Sequence, residues 1–110
     1  LDEPKTVYGY LMAALRKRHT NRLPPFTILS CDNIQHNGDM LRKMLLAFAK
    51  KQDIQIANWI TKEIGFPNTM VDRITPVTTS EVTSYLNNTQ QITDEWCVVC
   101  EPFIQWVVEE

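Results

Sequence analysis

The sequence has 110 residues, 44% hydrophobic and 22% charged, which is the size and composition of one globular domain rather than of a disordered chain. A net charge of -2 excludes a global field that would draw the chain to nucleic acid or anionic lipid, and no apolar run approaches the roughly 20 residues of a membrane helix. Three cysteines leave one unpaired under any pairing, so the expectation is no disulfide scaffold and a reducing, cytoplasmic setting.

Thr6 is placed to cap a helix in which Val7, Leu11, Ala14 and Leu15 form an apolar stripe, ending near His19. The basic cluster Arg16, Lys17, Arg18 and Arg22 falls at its C-terminal end, where cations complement the helix dipole. After the polar, proline-rich connector 20–25, the run Phe26-Thr27-Ile28-Leu29-Ser30-Cys31 reads as a short strand apolar on both faces, as in a covered parallel sheet. A loop from Asp32 to Gly38 leads to a second helix, which Asn37 is expected to cap and which carries Leu41, Met44, Leu45 and Phe48 on one face. Asp53 is placed to cap a third helix with Ile56, Trp59, Ile60 and Ile64 inward and Gly65 as terminator.

Met70–Ile74 is expected as a second strand, ended by Thr75-Pro76 because a proline has no N–H to donate to a central ladder. Two strands separated by helices imply a parallel, doubly wound α/β sheet. A short helix is expected over Ser80–Asn87 and a connector over 89–95, followed by the apolar runs Trp96–Val99 and Ile104–Val108. The chain begins on Leu1 and ends in Trp106-Val107-Val108-Glu109-Glu110, which suggests an internal piece of a longer protein.

Cys97-Val98-Val99-Cys100 has redox spacing, yet it lies in an apolar stretch and not at a helix start, where a thiolate would be stabilised; the expectation is a pair of structural thiols. Cys31 and His36 offer no second close ligand pair, so no metal site is expected. Gly9, Gly38 and Gly65 are too scattered to form a phosphate-binding turn, and His19 and His36 have no evident triad partners. The informative stretch is Ser30-Cys31-Asp32-Asn33-Ile34-Gln35-His36-Asn37-Gly38-Asp39. It puts amides and a carboxylate at the carboxyl end of a buried strand, where ligands of open α/β sheets bind. The bland alternative is that Asp32, Asn33 and Asn37 make only turn and capping hydrogen bonds. Asp72 could likewise be held in a structural ion pair with Arg73, and Asn68 could serve only the backbone of its turn.

Four separated stretches resemble the polyol-specific long-chain dehydrogenase family. They are Thr6-Val7-Tyr8-Gly9-Tyr10; Ser30 to Gln35 with Asn37-Gly38; Phe66-Pro67-Asn68 with Met70 to Pro76; and Cys100-Glu101-Pro102-Phe103 with Gln105-Trp106. The resemblance implies a partial Rossmann-like domain over residues 1–95 and, over 96–110, the start of a mostly helical substrate domain. It also implies a metal-free transfer of hydride between a sugar alcohol and NAD, or NADP. The small-molecule partner would be a polyol or ketose. Mannitol and fructose are favoured by Asn-Ile-Gln and Phe-Pro-Asn; fructuronate reduction, or a truncated non-catalytic binding module, is the alternative. On this resemblance Asn33 is the catalytic donor to the substrate oxygen and borders the cofactor, and Val71 and Asp72 line its nicotinamide end. The family's Lys-x4-Asn-x-x-His element is not in this chain: Asn33-Ile34-Gln35-His36 matches its second half, but Ile28 stands where the lysine would be. His36 is therefore not expected to be the catalytic histidine.

Overall fold

A computed structural model describes residues 3–70 and 73–110, which fall into two compact units, Leu1–Val71 with Trp106–Glu110, and Asp72–Gln105. In the first unit, helix α1 spans Val7–Thr20, and Thr6 caps it as expected, its Oγ1 accepting from the Gly9 N–H at 3.2 Å. At the other end the Leu23 N–H returns to the Arg18 carbonyl at 2.9 Å and the Arg22 N–H to that of His19 at 3.1 Å. This is the Schellman arrangement, with Arg22 in the left-handed position that glycine usually fills. Arg18 is held locally: its Nε donates to the Pro24 carbonyl, and its guanidinium lies 5.7 Å from the Phe26 ring centre.

Helix α2 spans Asn37–Gln52 and helix α3 spans Ile54–Glu63. Asp53 closes one and opens the other. Its N–H donates to the Ala49 carbonyl, while its carboxylate accepts from the N–H groups of Gln55 and Ile56 at 2.9 and 3.2 Å. The core lies where the three helices meet, around the fully buried Met12, Leu15, Leu45, Ala49, Ala57 and Ile60. The inward positions expected of α3 hold, with Trp59 partly buried and its ring edge packed on His19. The stripes of the other two helices are rotated from the expectation. Val7 and Met44 face outward, and Met12 and Ala49 take the inner places. Gly65 follows α3 without a left-handed backbone, so α3 ends on ordinary extended geometry at Ile64.

Along 26–31 the burial alternates: Ile28 and Ser30 face the core, whereas Thr27, Leu29 and Cys31 are exposed. Among the described residues only one face of this segment is covered, and it forms no ladder with Met70–Ile74. The expected second strand is the short β1, Thr69–Met70, and it pairs antiparallel with β2, Val107–Val108, in the register Thr69 to Val108 and Met70 to Val107. Among the described residues this antiparallel pair is the one ladder formed. A side-chain bridge, described below, joins Ser30 to Thr69 instead.

In the second unit, helix α4 spans Ser80–Gln90, three residues beyond the expected end, and stops at Gln91 in the left-handed region. It has no buried residue. The Thr78 hydroxyl donates to the Cys97 carbonyl at 2.6 Å, and Arg73 donates to the Cys100 sulfur at 3.2 Å and to the Phe103 carbonyl. Trp96–Val99 forms no regular element.

Gly38 lies in the first turn of α2, where a Cβ would stand 2.4 Å from the Pro67 carbonyl oxygen and 2.5 Å from that of Phe66. Both obstacles are backbone, so neither can swing away. A glycine in a helix is normally improved by alanine, by roughly 0.5–1 kcal/mol. Here Gly38→Ala is expected to reverse that sign and destabilise by about 1–3 kcal/mol, the usual range for overpacking. A urea titration of the two proteins checks it.

Candidate functional site

The loop between Ser30 and α2 is organised by one buried side chain. Asn37, 1% exposed, points its carboxamide back under the loop. Its Nδ2 lies 3.2 Å from the Ser30 carbonyl and 3.0 Å from each of the Asp32 carbonyl, the Thr69 carbonyl and Thr69 Oγ1. Its Oδ1 accepts from the Thr69 N–H at 2.8 Å. Two amide hydrogens shared among four acceptors, with the oxygen occupied as well, leave this side chain no capacity for a ligand. The Thr69 hydroxyl donates in turn to the Ser30 carbonyl. Asn37 therefore acts like an extra peptide unit laid between two segments that are 32 residues apart in sequence.

That use of Asn37 corrects its expected role as a cap. The N-cap position of α2 is His36, in the left-handed region with φ 53°, and its side chain makes no capping bond. Capping comes from across the chain: Asn68 Oδ1 accepts from the Asp39 N–H at 3.1 Å. The Asn68 N–H and Nδ2 both donate to Glu109 Oε2 at 2.9 Å, and Nδ2 also reaches Asp39 Oδ2 at 3.3 Å. Asn68 thus does more than serve the backbone of its own turn: it caps α2 from 29 residues away and meets two carboxylates, next to the Phe66 and Pro67 carbonyls that exclude a side chain at Gly38. The N-terminus of α2 is consequently covered by carbonyl and carboxylate oxygens. It is no cradle for a phosphate, whose charge those oxygens would repel.

Asp32 is occupied too, its N–H on Ser30 Oγ at 3.3 Å and its carboxylate accepting from the same hydroxyl at 3.2 Å. Asn33 differs from its neighbours. It is exposed, and among the described residues its side chain makes no hydrogen bond. The loop thus presents two free side-chain amides among the described residues, those of Asn33 and Gln35. His36 is exposed as well and stands 3.5 Å from Asp39. Val71 and Asp72 lie outside the described residues. Cys31 and Cys100 are exposed and Cys97 half-buried, and Arg73 donates to the Cys100 sulfur. Among the described residues no three His, Cys, Asp or Glu side chains gather as metal ligands, and no helix is long and apolar enough to cross a membrane.

Sequence reasoning marked this loop but missed the parts played by Asn37, Asn68 and Thr69. The available signal was Asn37-Gly38 at a helix start: a glycine there weakens the first turn unless something must come close to it.

The sequence pattern of the mannitol dehydrogenase Rossmann domain matches residues 1–110. Mannitol 2-dehydrogenase of Phaeosphaeria nodorum is 52% identical over 107 residues, 97% of this chain and 19% of that protein. The enzyme of the same name from Aspergillus clavatus is 49% identical over 109 residues, 99% of this chain and 22% of the relative. Among solved structures, the mannitol 2-dehydrogenase of Pseudomonas fluorescens, in a ternary complex with NAD and D-mannitol, superposes with a TM-score of 0.85 at 50% identity. A substrate-free D-sorbitol dehydrogenase gives 0.86 at 44%. Each match covers 97% of this chain and 22% of the solved one. The Rossmann-type fold class expected from the sequence is thereby borne out, and the chain spans about a fifth of the length of the curated relatives it matches.

The Asn37 bridge gives a pH-dependent prediction. In Asn37→Asp the amide donors are replaced by a carboxyl group facing the carbonyls of Ser30, Asp32 and Thr69, so the buried group is held protonated and its folded-state pKa rises above the unfolded value of about 3.9. Below that value the variant carries no ionisation penalty. As pH rises through and beyond it the folded state alone retains the proton, and stability falls relative to the parent until the folded pKa is passed. Denaturation midpoints at pH 4 and pH 7 should show the larger deficit at pH 7; equal deficits would mean that the carboxyl is not confined among the carbonyls.

Proposed function

Because this chain belongs to the mannitol dehydrogenase family, as part of its Rossmann domain, we propose that it contributes to an NAD-dependent oxidoreductase interconverting a sugar alcohol and a ketose, with mannitol and fructose the pair favoured. The observation that carries the reading is the freedom of Asn33, the first of the loop's two unbonded amides after the 26–31 segment. Asn37 is buried and bonded at both ends of its amide and the Asp32 carboxylate accepts from Ser30, whereas the Asn33 amide is exposed and unbonded just beyond the carboxyl end of the 26–31 segment. Ligands of open α/β sheets are received at such strand ends.

In this proposal Asn33 is the catalytic residue of the chain. Oxidation of a secondary alcohol breaks its O–H and C–H bonds, the proton leaving to a base and the hydride to the cofactor. NAD, when bound, supplies the hydride acceptor. Negative charge grows on the alcohol oxygen as the proton departs, and the Asn33 amide donates to that oxygen. Its loop is fixed through the Asn37 bridge, so the donor need not reorganise as the charge develops, which is what makes such a hydrogen bond effective. Val71 and Asp72 are proposed to line the nicotinamide end, and Asn33 to border it. The pyrophosphate has no cradle among Gly9, Gly38 and Gly65, so its contacts, like the proton-accepting base, belong to residues beyond these 110. Residues 1–95 are assigned to the dinucleotide-binding domain and 96–110 to the lead into the substrate domain, in a cytoplasmic enzyme.

Asn33→Ala in the full-length enzyme is expected to lower kcat by about 10² to 10³, the usual loss for one such donor, with little change in the KM for cofactor. Steady-state kinetics with NAD and D-mannitol test it. Near-normal kcat, or a loss no larger than the loss of folded protein, would return Asn33 to the scaffold.

A further inference from the structure

We propose that Asn37 and Thr69 form a positioning clamp, which holds the Asn33 loop at a set distance from the segment at Thr69. The inference rests on the functional reading above and deepens it. Asn33 lies three residues after Ser30 and four before Asn37; Val71 lies two residues after Thr69. The clamp ties those flanking points together directly. Asn37 Nδ2 reaches the Ser30, Asp32 and Thr69 carbonyls, Asn37 Oδ1 takes the Thr69 N–H, and the Thr69 hydroxyl links Asn37 Nδ2 to the Ser30 carbonyl. No backbone ladder joins these segments among the described residues, so their separation depends on the side-chain bridge.

The arrangement is built for stiffness. Asn37 and Ser30 are buried, every buried side-chain nitrogen and oxygen among the described residues has a partner, and Gly38 lets α2 press against the Phe66 and Pro67 carbonyls. A shift at Thr69 would pass to the Ser30 carbonyl through its hydroxyl and to Asp32 through Asn37, and so to the residue next to Asn33. Placement errors of about 1 Å at a reacting centre can cost on the order of 10²-fold in rate. Asn37 and Thr69 touch neither substrate nor cofactor in this proposal; they act through Asn33.

Thr69→Val tests the clamp, because it keeps the side-chain shape and deletes the hydroxyl that joins Asn37 to Ser30. In the full-length enzyme with NAD and D-mannitol, kcat should fall about ten- to a hundredfold while the KM for NAD stays within about twofold. Thr69→Ser, which restores the hydroxyl, should recover most of the loss. The double variant Asn33→Ala with Thr69→Val should be no slower than Asn33→Ala alone, since the clamp acts through Asn33. Unchanged kcat in Thr69→Val, a loss that follows the unfolded fraction, or rate losses that multiply in the double variant would each overturn the clamp. A normal kcat in Asn33→Ala would instead remove the donor role of Asn33.

Discussion

The fold around the candidate site depends on one buried carboxamide. Asn37 joins Ser30 and Asp32 to Thr69, doing with a side chain what a sheet ladder does with peptide groups. A single hydrogen bond adds only about 1 kcal/mol net, but removing the amide would strand several buried partners at roughly 1–3 kcal/mol each. The first turn of α2, the glycine at position 38 and the use of Asn68 as a remote cap all follow from the close approach that this bridge maintains.

The contrast between Asn37 and Asn33 follows from this bridge. A loop rich in Asp and Asn can be merely a well-bonded turn, and most of this one is. Asp32 and Asn37 stabilise it, while the Asn33 and Gln35 amides are left over. A polar group fixed at its backbone and unpaired at its tip is a suitable donor for a ligand oxygen. The α2 N-terminus, by contrast, is closed by Asn68, Asp39 and Glu109, so an anion gains nothing from its dipole.

Much of this was legible in the sequence wherever the cause is local. Thr6 and Asp53 reach only two or three residues ahead to cap their helices, and the inward face of α3 follows its own apolar period. Four ordered motifs also named the family. Asn37 was misread because a cap and a long-range bridge use the same residue type at the same place, and only the fold supplies Thr69 as partner. The outward turn of Val7 and Met44 is of the same kind: helical spacing gives a stripe, and the neighbouring helices decide which edge of it is covered. For Cys97 and Cys100, apolar neighbours in sequence did not imply burial in space.

Within this loop Asn33 is proposed to meet the substrate and Asn37 is not. A crystal structure of the full-length enzyme with NAD and D-mannitol measures this directly. The Asn33 amide nitrogen should lie about 3 Å from a polyol hydroxyl oxygen, with Asn37 still bridging Ser30 and Thr69 away from the ligand. A ligand held by Asn37, or an Asn33 side chain turned away from a bound polyol, would contradict it.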